Sequence, residues 1–136
     1  MALVDSNILL DIFMKDTSWS SWSVPRLDEA ALNGPLLIND VIYAETSVGF
    51  RNAGDFDAAL AKLGVAVTSI PRLALFLAGK AFTQYRRAGG TRTGVLPDFF
   101  IGAHAMVDGL PLLTRDVRRN RHYFPTVVLI TPENER

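Results

Sequence analysis

Four carboxylates in this chain stand where a fold could gather them to one point. Asp5 ends the apolar stretch MALV and Glu45 lies inside the apolar turn VIYAE. Asp98 opens the helical pattern DFFIGAHAMV, and Asp116 follows the strand pattern LPLLT. Gathered carboxylates hold hard divalent cations through oxygen, and such cations promote phosphodiester hydrolysis. Without a cation the grouping is unfavourable, since two like charges about 4 Å apart repel by ~4 kcal/mol at an effective dielectric near 20. Oxygen-only ligation favours Mg2+ or Mn2+ over Zn2+.

Each acid also has a plain structural use. Asp5 suits a helix N-cap, a role compatible with metal binding. Glu45 shares its turn with Val41, Ile42, Ala44 and Val48, so it is expected to be partly enclosed, and an enclosed lone carboxylate needs a partner. The alternative is a simple outward-facing Glu. Asp98 in a first helical turn is favoured by the helix dipole. Asp116 could cap a turn, with Thr114 spaced to place a hydroxyl beside it. Each signal is weak alone, and the joint placement at element ends carries the weight.

The elements that must position these residues follow from period and punctuation. Strands are predicted at 2–4, 36–38, 65–67, 112–114 and 127–130. Helices are predicted at 8–14, at 17–33 with Ser18 as a cap and Pro25 as a kink or restart, and from Asn39 or Asp40 to about 50. Further helices are predicted at 54–63, from Pro71 in a first turn to about 88, and from Pro97 to 107. Residues 89–94 read as a loop and 131–136 as a loose tail. Short apolar strands alternating with helices specify an α/β fold, a mostly parallel sheet covered on both faces. Ligands bind such sheets beyond the carboxyl ends of the strands, where Asp5 and Asp116 would project.

With 136 residues, 49% hydrophobic and 21% charged, the chain is expected to form one domain, 1–136, with a real core. There is no apolar run long enough for a membrane span and no basic leader ahead of the first apolar stretch, so a cytoplasmic location is expected. Cysteine is absent, which excludes disulfides, thiolate zinc sites and a Cys nucleophile. Net charge is zero, yet from Lys80 to Arg121 eight Lys/Arg face three acids. A basic rim around an acidic centre suits a polyanion whose scissile phosphate must reach metal, the alternative being a solvated face. Arg115, Arg118, Arg119 and Arg121, flanking Asp116, are the favoured phosphate contacts. Arg86, Arg87 and Arg92 could act from the other side.

The segments LVDSNILLD, INDVIYAETSVGF, LPDFFIGAHA and LLTRD, with the trailing RNRHYFPTVVLITP, resemble a PIN-domain ribonuclease and, more closely, a VapC-type toxin of a bacterial toxin–antitoxin pair. The resemblance runs over residues 3–132. It implies a three-layer PIN-like sandwich with a five-stranded, mostly parallel sheet between helices. It also implies metal-dependent, single-strand-specific endoribonuclease activity, a homodimer, and inhibition by a small antitoxin protein whose C-terminal segment enters the active-site groove. Asp5, Glu45, Asp98 and Asp116 match the family's acidic quartet, and Asn7 and Thr114 match positions that support it by hydrogen bonding. On that basis a metal held mainly by Asp5 and Asp98 would acidify a water and neutralise the phosphate, with Glu45 and Asp116 holding a second metal or orienting the water.

Other features are weighed against this. His104 lies in an apolar helix and is expected to be a satisfied core histidine, while His122, in a basic aromatic segment, could touch RNA. Trp19 and Trp22 form either a groove for a partner helix or part of the core. A receiver-like signalling domain is disfavoured, because the strand VAVTSI ends without an Asp and no late strand-end Lys exists. A non-catalytic RNA-binding or scaffold PIN domain is the alternative from another class.

Overall fold

The computed structural model describes residues 1–14, 18–92 and 94–132. The expected start of the second helix at 17, one residue of the 89–94 loop and most of the 131–136 tail lie outside these residues. Five strands form one sheet, β1 (Ala2–Val4), β2 (Leu36–Asn39), β3 (Val65–Thr68), β4 (Leu112–Leu113) and β5 (Leu129–Ile130). Their order is β3-β2-β1-β4-β5 and every pairing is parallel. The expected α/β class and five-stranded sheet are therefore observed, with the sheet wholly rather than mostly parallel. Among the described residues no helix is long and apolar enough to cross a membrane.

β1 is the central strand. Leu3 pairs with Leu37 on one side and Leu112 on the other. The chain builds outward through β2 and β3, then returns across β1 to lay down β4 and β5. The order thus reverses between β1 and β4, and the carboxyl ends of those strands frame the crevice where open α/β sheets bind ligands. Leu3, Val4, Leu36, Ile38, Leu112 and Leu113 are buried, as expected for strands covered on both faces.

The helices are α1 (Ser6–Phe13), α2 (Ser20–Leu32), α3 (Asp40–Thr46), α4 (Ala53–Lys62), α5 (Arg72–Arg87), α6 (Leu96–Asp108) and α7 (Val117–Tyr123). Several ends differ from the sequence expectation for local reasons. The second helix has Trp19, not Ser18, at its N-cap, and it runs through Pro25 without stopping. α3 stops at Thr46 and tightens into one 3-10 turn, Ser47–Gly49. There Thr46 Oγ1 donates to the Ile42 carbonyl and Ser47 Oγ to the Ala44 carbonyl, each at 2.8 Å, satisfying carbonyls that a longer helix would have used. Pro71 is the N-cap of α5 rather than a first-turn residue.

α7 was not legible as a helix. Its sequence VRRNRHY is almost entirely polar. It is held by Val117, Asn120 and Phe124, which are buried at helical spacing, and by Asn120 Nδ2, which donates to the Asp116 carbonyl at 2.6 Å. The main core surrounds the sheet. A second cluster joins Ala74, Ala78 and Ala81 of α5 to Phe99 and Ala103 of α6 and to Phe124. Gly102 makes this junction possible, because a Cβ there would run into the Phe124 ring and approach Asn120 Oδ1 to 2.7 Å.

Candidate active site at the β1–β4 edge

Asp5 leaves β1 and caps α1. Its Oδ1 accepts from the Ser6 backbone N–H at 2.7 Å, and its Oδ2 accepts from Thr114 Oγ1 at 2.6 Å and Asn7 Nδ2 at 3.4 Å. Thr114 follows β4, is fully buried, and also accepts from the Asp116 backbone N–H at 2.9 Å. Asn7 Oδ1 accepts from the Arg115 N–H at 3.3 Å. Asn7 and Thr114 thus tie the end of β1 to the turn after β4.

Glu45 is half-buried on α3, and its Oε1 accepts from Ser6 Oγ at 2.6 Å. Ser6 was not singled out from sequence, although its place directly after Asp5 was the available signal. It joins two acids that lie 40 residues apart in sequence. Asp98 sits in the first turn of α6 and Asp116 at the N-cap of α7. A single nitrogen, Nη1 of Arg119, donates to both, at 2.9 Å to Asp98 Oδ2 and 3.0 Å to Asp116 Oδ2.

The four acids feel one another. Burial pushes the Asp5 carboxyl up to about 7, with Thr114 opposing and Asp98 and Asp116 adding to the rise. Burial also pushes Asp98 up to about 6, opposed by Arg119 and reinforced by Asp116 and Glu45. The fold thus brings the sequence quartet within charge range. It does not form a ready-made cage. Among the described residues no three His, Asp or Glu side chains are arranged to hold one metal ion. In this structure Arg119 Nη1 bridges Asp98 and Asp116, and both oxygens of Asp5 accept hydrogen bonds. The donor chemistry still fits a hard divalent ion, being oxygen only, with carboxylates whose mutual repulsion such an ion would relieve.

The four arginines expected on phosphate separate into different roles. Arg115 makes a two-pronged pair with Asp11, Nε to Oδ2 and Nη2 to Oδ1, both at 2.9 Å, and lies 4.7 Å from the Trp19 ring centroid. Asp11 also accepts from Ser23 Oγ at 2.7 Å. Arg115 is therefore a strut joining α1, α2 and the β4–α7 turn. Arg119 donates to two acids through one nitrogen. Arg118 is exposed beside Asp116, and Arg121 is exposed on the side of Pro125 and Val127. Asp11, missed from sequence, was visible only as an acid one turn from Asn7 in an apolar helix.

His104 is the satisfied core histidine expected. Asn39 uses Oδ1 to accept from the Ile42 N–H at 3.0 Å, so its Nδ2 faces His104 Nδ1 at 3.1 Å. The imidazole proton is thereby placed on Nε2, 3.0 Å from Asp108 Oδ2. Trp22 packs against the main core, and Trp19 is 38% exposed.

The sequence profile of the PIN domain matches residues 2–125. No curated protein matches the chain in sequence. Among solved structures, the fold is similar to a chain of VapBC2 from Rickettsia felis bound to a DNA fragment from their promoter. That match has a TM-score of 0.70 and 17% identity, covering 96% of this chain and 97% of the other. VapBC-1 from nontypeable Haemophilus influenzae gives 0.67 and 19%, covering 96% of both. FitAcB from Neisseria gonorrhoeae gives 0.63 and 17%, covering 98% and 99%.

Proposed function

The chain belongs to the PIN domain family, and from that premise we propose that it is a Mg2+- or Mn2+-dependent endoribonuclease. It hydrolyses single-stranded RNA and acts in the cytoplasm as the toxin of a toxin–antitoxin pair. We take residues 1–136 as one domain, which pairs with a second copy and is restrained by a small antitoxin. The observation that carries the reading is geometric: Ser6 links Asp5 to Glu45, Thr114 links Asp5 to the Asp116 N–H, and Arg119 links Asp116 to Asp98, where strand order reverses. The structural neighbours are chains of complexes described as VapBC and FitAcB, which supports the toxin reading and the antitoxin partner.

Asp5, Asp98, Glu45 and Asp116 are the residues that would hold the cation. When bound, it supplies positive charge to the phosphate and acidity to a water. The chain's own part is to hold these oxygens in place. The Ser6 N–H and Thr114 Oγ1 fix the Asp5 carboxylate, and Ser6 Oγ fixes Glu45. Arg119 holds Asp98 and Asp116 through Nη1 and would offer its remaining N–H groups to a phosphate oxygen. Arg118 lies beside it to follow the RNA backbone.

The test is cleavage of a labelled single-stranded RNA panel by purified protein, with Mg2+ or Mn2+, with EDTA, and with Asp98→Asn. Cuts that need metal and vanish in the variant are expected. Binding without cutting, unaffected by EDTA, would replace this reading with a non-catalytic RNA-binding role. The Arg119 bridge across two acids is the observation that favours that second reading.

A further inference from the structure

Beside the acids lies a cavity of about 390 Å³ lined by Tyr85, Asp116, Arg118, Arg119, His122 and Tyr123. It lies within the range of about 300–1,000 Å³ typical of small-ligand sites. Its walls come from two places. Tyr85 stands near the end of α5. The other five belong to the N-cap and body of α7, where 118, 119, 122 and 123 fall on one helical face.

The aromatic walls are fixed before any ligand arrives. Tyr85 and Tyr123 both pack on the fully buried Phe99, with ring centroids 5.8 and 5.0 Å away. The Tyr85 hydroxyl accepts from the Arg92 N–H at 3.0 Å. His122 meets Tyr123 edge-on at 4.5 Å. Rigid aromatic faces with guanidinium groups at their edge are the combination that receives an unstacked base and its phosphate. Two of the lining residues, Asp116 and Arg119, also belong to the acidic site, so the cavity is continuous with it.

We propose that this cavity is a nucleobase subsite. It takes the base of a nucleotide adjoining the scissile phosphate between Tyr85, His122 and Tyr123, with Arg118 on that nucleotide's phosphate. The inference rests on the ribonuclease reading for its substrate and adds where one base of that substrate sits. It gives the enzyme a means of choosing among single-stranded phosphates that are otherwise alike.

The experiment measures binding of a short single-stranded RNA by fluorescence anisotropy in EDTA, where no cutting occurs, with each nucleotide in turn made abasic. Wild-type protein is compared with His122→Ala, whose side chain is exposed, and with Tyr85→Ala, each checked for an unchanged melting temperature. One abasic position is expected to weaken wild-type binding about tenfold, and that penalty is expected to shrink in both variants. A flat abasic series, or a penalty undiminished in both variants, would overturn the subsite. A cavity that instead receives a side chain of a partner protein would also give the flat series. The two readings fail separately. RNA cut in Mg2+ with a flat abasic series removes the subsite and leaves the nuclease. An abasic penalty on RNA that is never cut removes the nuclease and leaves the subsite.

Discussion

At the scale of single residues, burial governs the site's acids, and the neighbouring carboxylates add to its effect. Folding raises the Asp5 carboxyl to about 7 and the Asp98 carboxyl to about 6, from an ordinary value near ~4. Between those limits the native state binds protons that the unfolded chain has released, so stability falls as pH rises through that window. In EDTA the melting temperature is expected to be higher near pH ~5 than near pH ~8. Asp98→Asn should flatten the lower part of that slope, and calorimetry at matched ionic strength checks both. Arg119 gives a second prediction. Arg119→Gln removes the cation that competes with metal for Asp98 and Asp116, so Mn2+ should bind about tenfold or more tightly, a gain of ~1.4 kcal/mol, while RNA cleavage falls. Titration calorimetry measures the first effect and the RNA assay the second. Sequence singled out Asp5, Asp98 and Asp116 because each stood at an element end, and Glu45 because it lay inside an apolar turn. It could not reveal the Arg119 bridge, because nothing in DVRRNRHY shows that Arg119 rather than Arg118 faces inward.

At the scale of elements, two contacts decide whether the site can assemble. The first is the close approach of α6 and α7 over Gly102. Gly102→Ala should push α7 outward and lengthen the Arg119–Asp98 contact, destabilising the fold by about 1–3 kcal/mol as overpacking does. Urea unfolding gives the value. The second is the strut from Arg115 to Asp11, where Asp11 is 2% exposed. Arg115→Ala removes the charge partner of a buried carboxylate that also accepts from Ser23, and a loss of about 3 kcal/mol is expected, measured the same way. The first contact rests on α7, which sequence missed, and the second on Asp11, which sequence did not single out. The strands and longer helices were legible because burial imposes a period on them. α7 was missed because most of its inward contacts come from Asn120 and the neighbouring Phe124, not from an apolar stripe.

At the scale of the whole molecule, the sheet order β3-β2-β1-β4-β5 places the first strand at the centre and the switch point at its carboxyl end. The α/β class and the edge on which Asp5 and Asp116 project followed from strand–helix alternation. The absence of a preformed cage did not, since it depends on side-chain pairing across 21 residues between Asp98 and Arg119. One surface feature bears on assembly. Leu73 and Phe76, one turn apart on α5, are exposed at 57% and 61%, and an apolar pair on one helical face is a candidate contact surface. If it is the seam of the proposed homodimer, Phe76→Glu should convert the protein to a monomer by sedimentation velocity with its melting temperature little changed. An unchanged dimer would place the seam elsewhere.

The hydrogen bond from Thr114 to Asp5 spans 109 residues, and the central strand finds its β4 neighbour only across that same distance. A ribosome delivers Asp5 well before Thr114 and Asp116. Until residues 112–119 have cleared the exit tunnel, Asp5 has neither Thr114 nor Asp116 beside it, and any chemistry that needs these groups together cannot begin. A copy of the chain that stops before Thr114 therefore cannot assemble the proposed site.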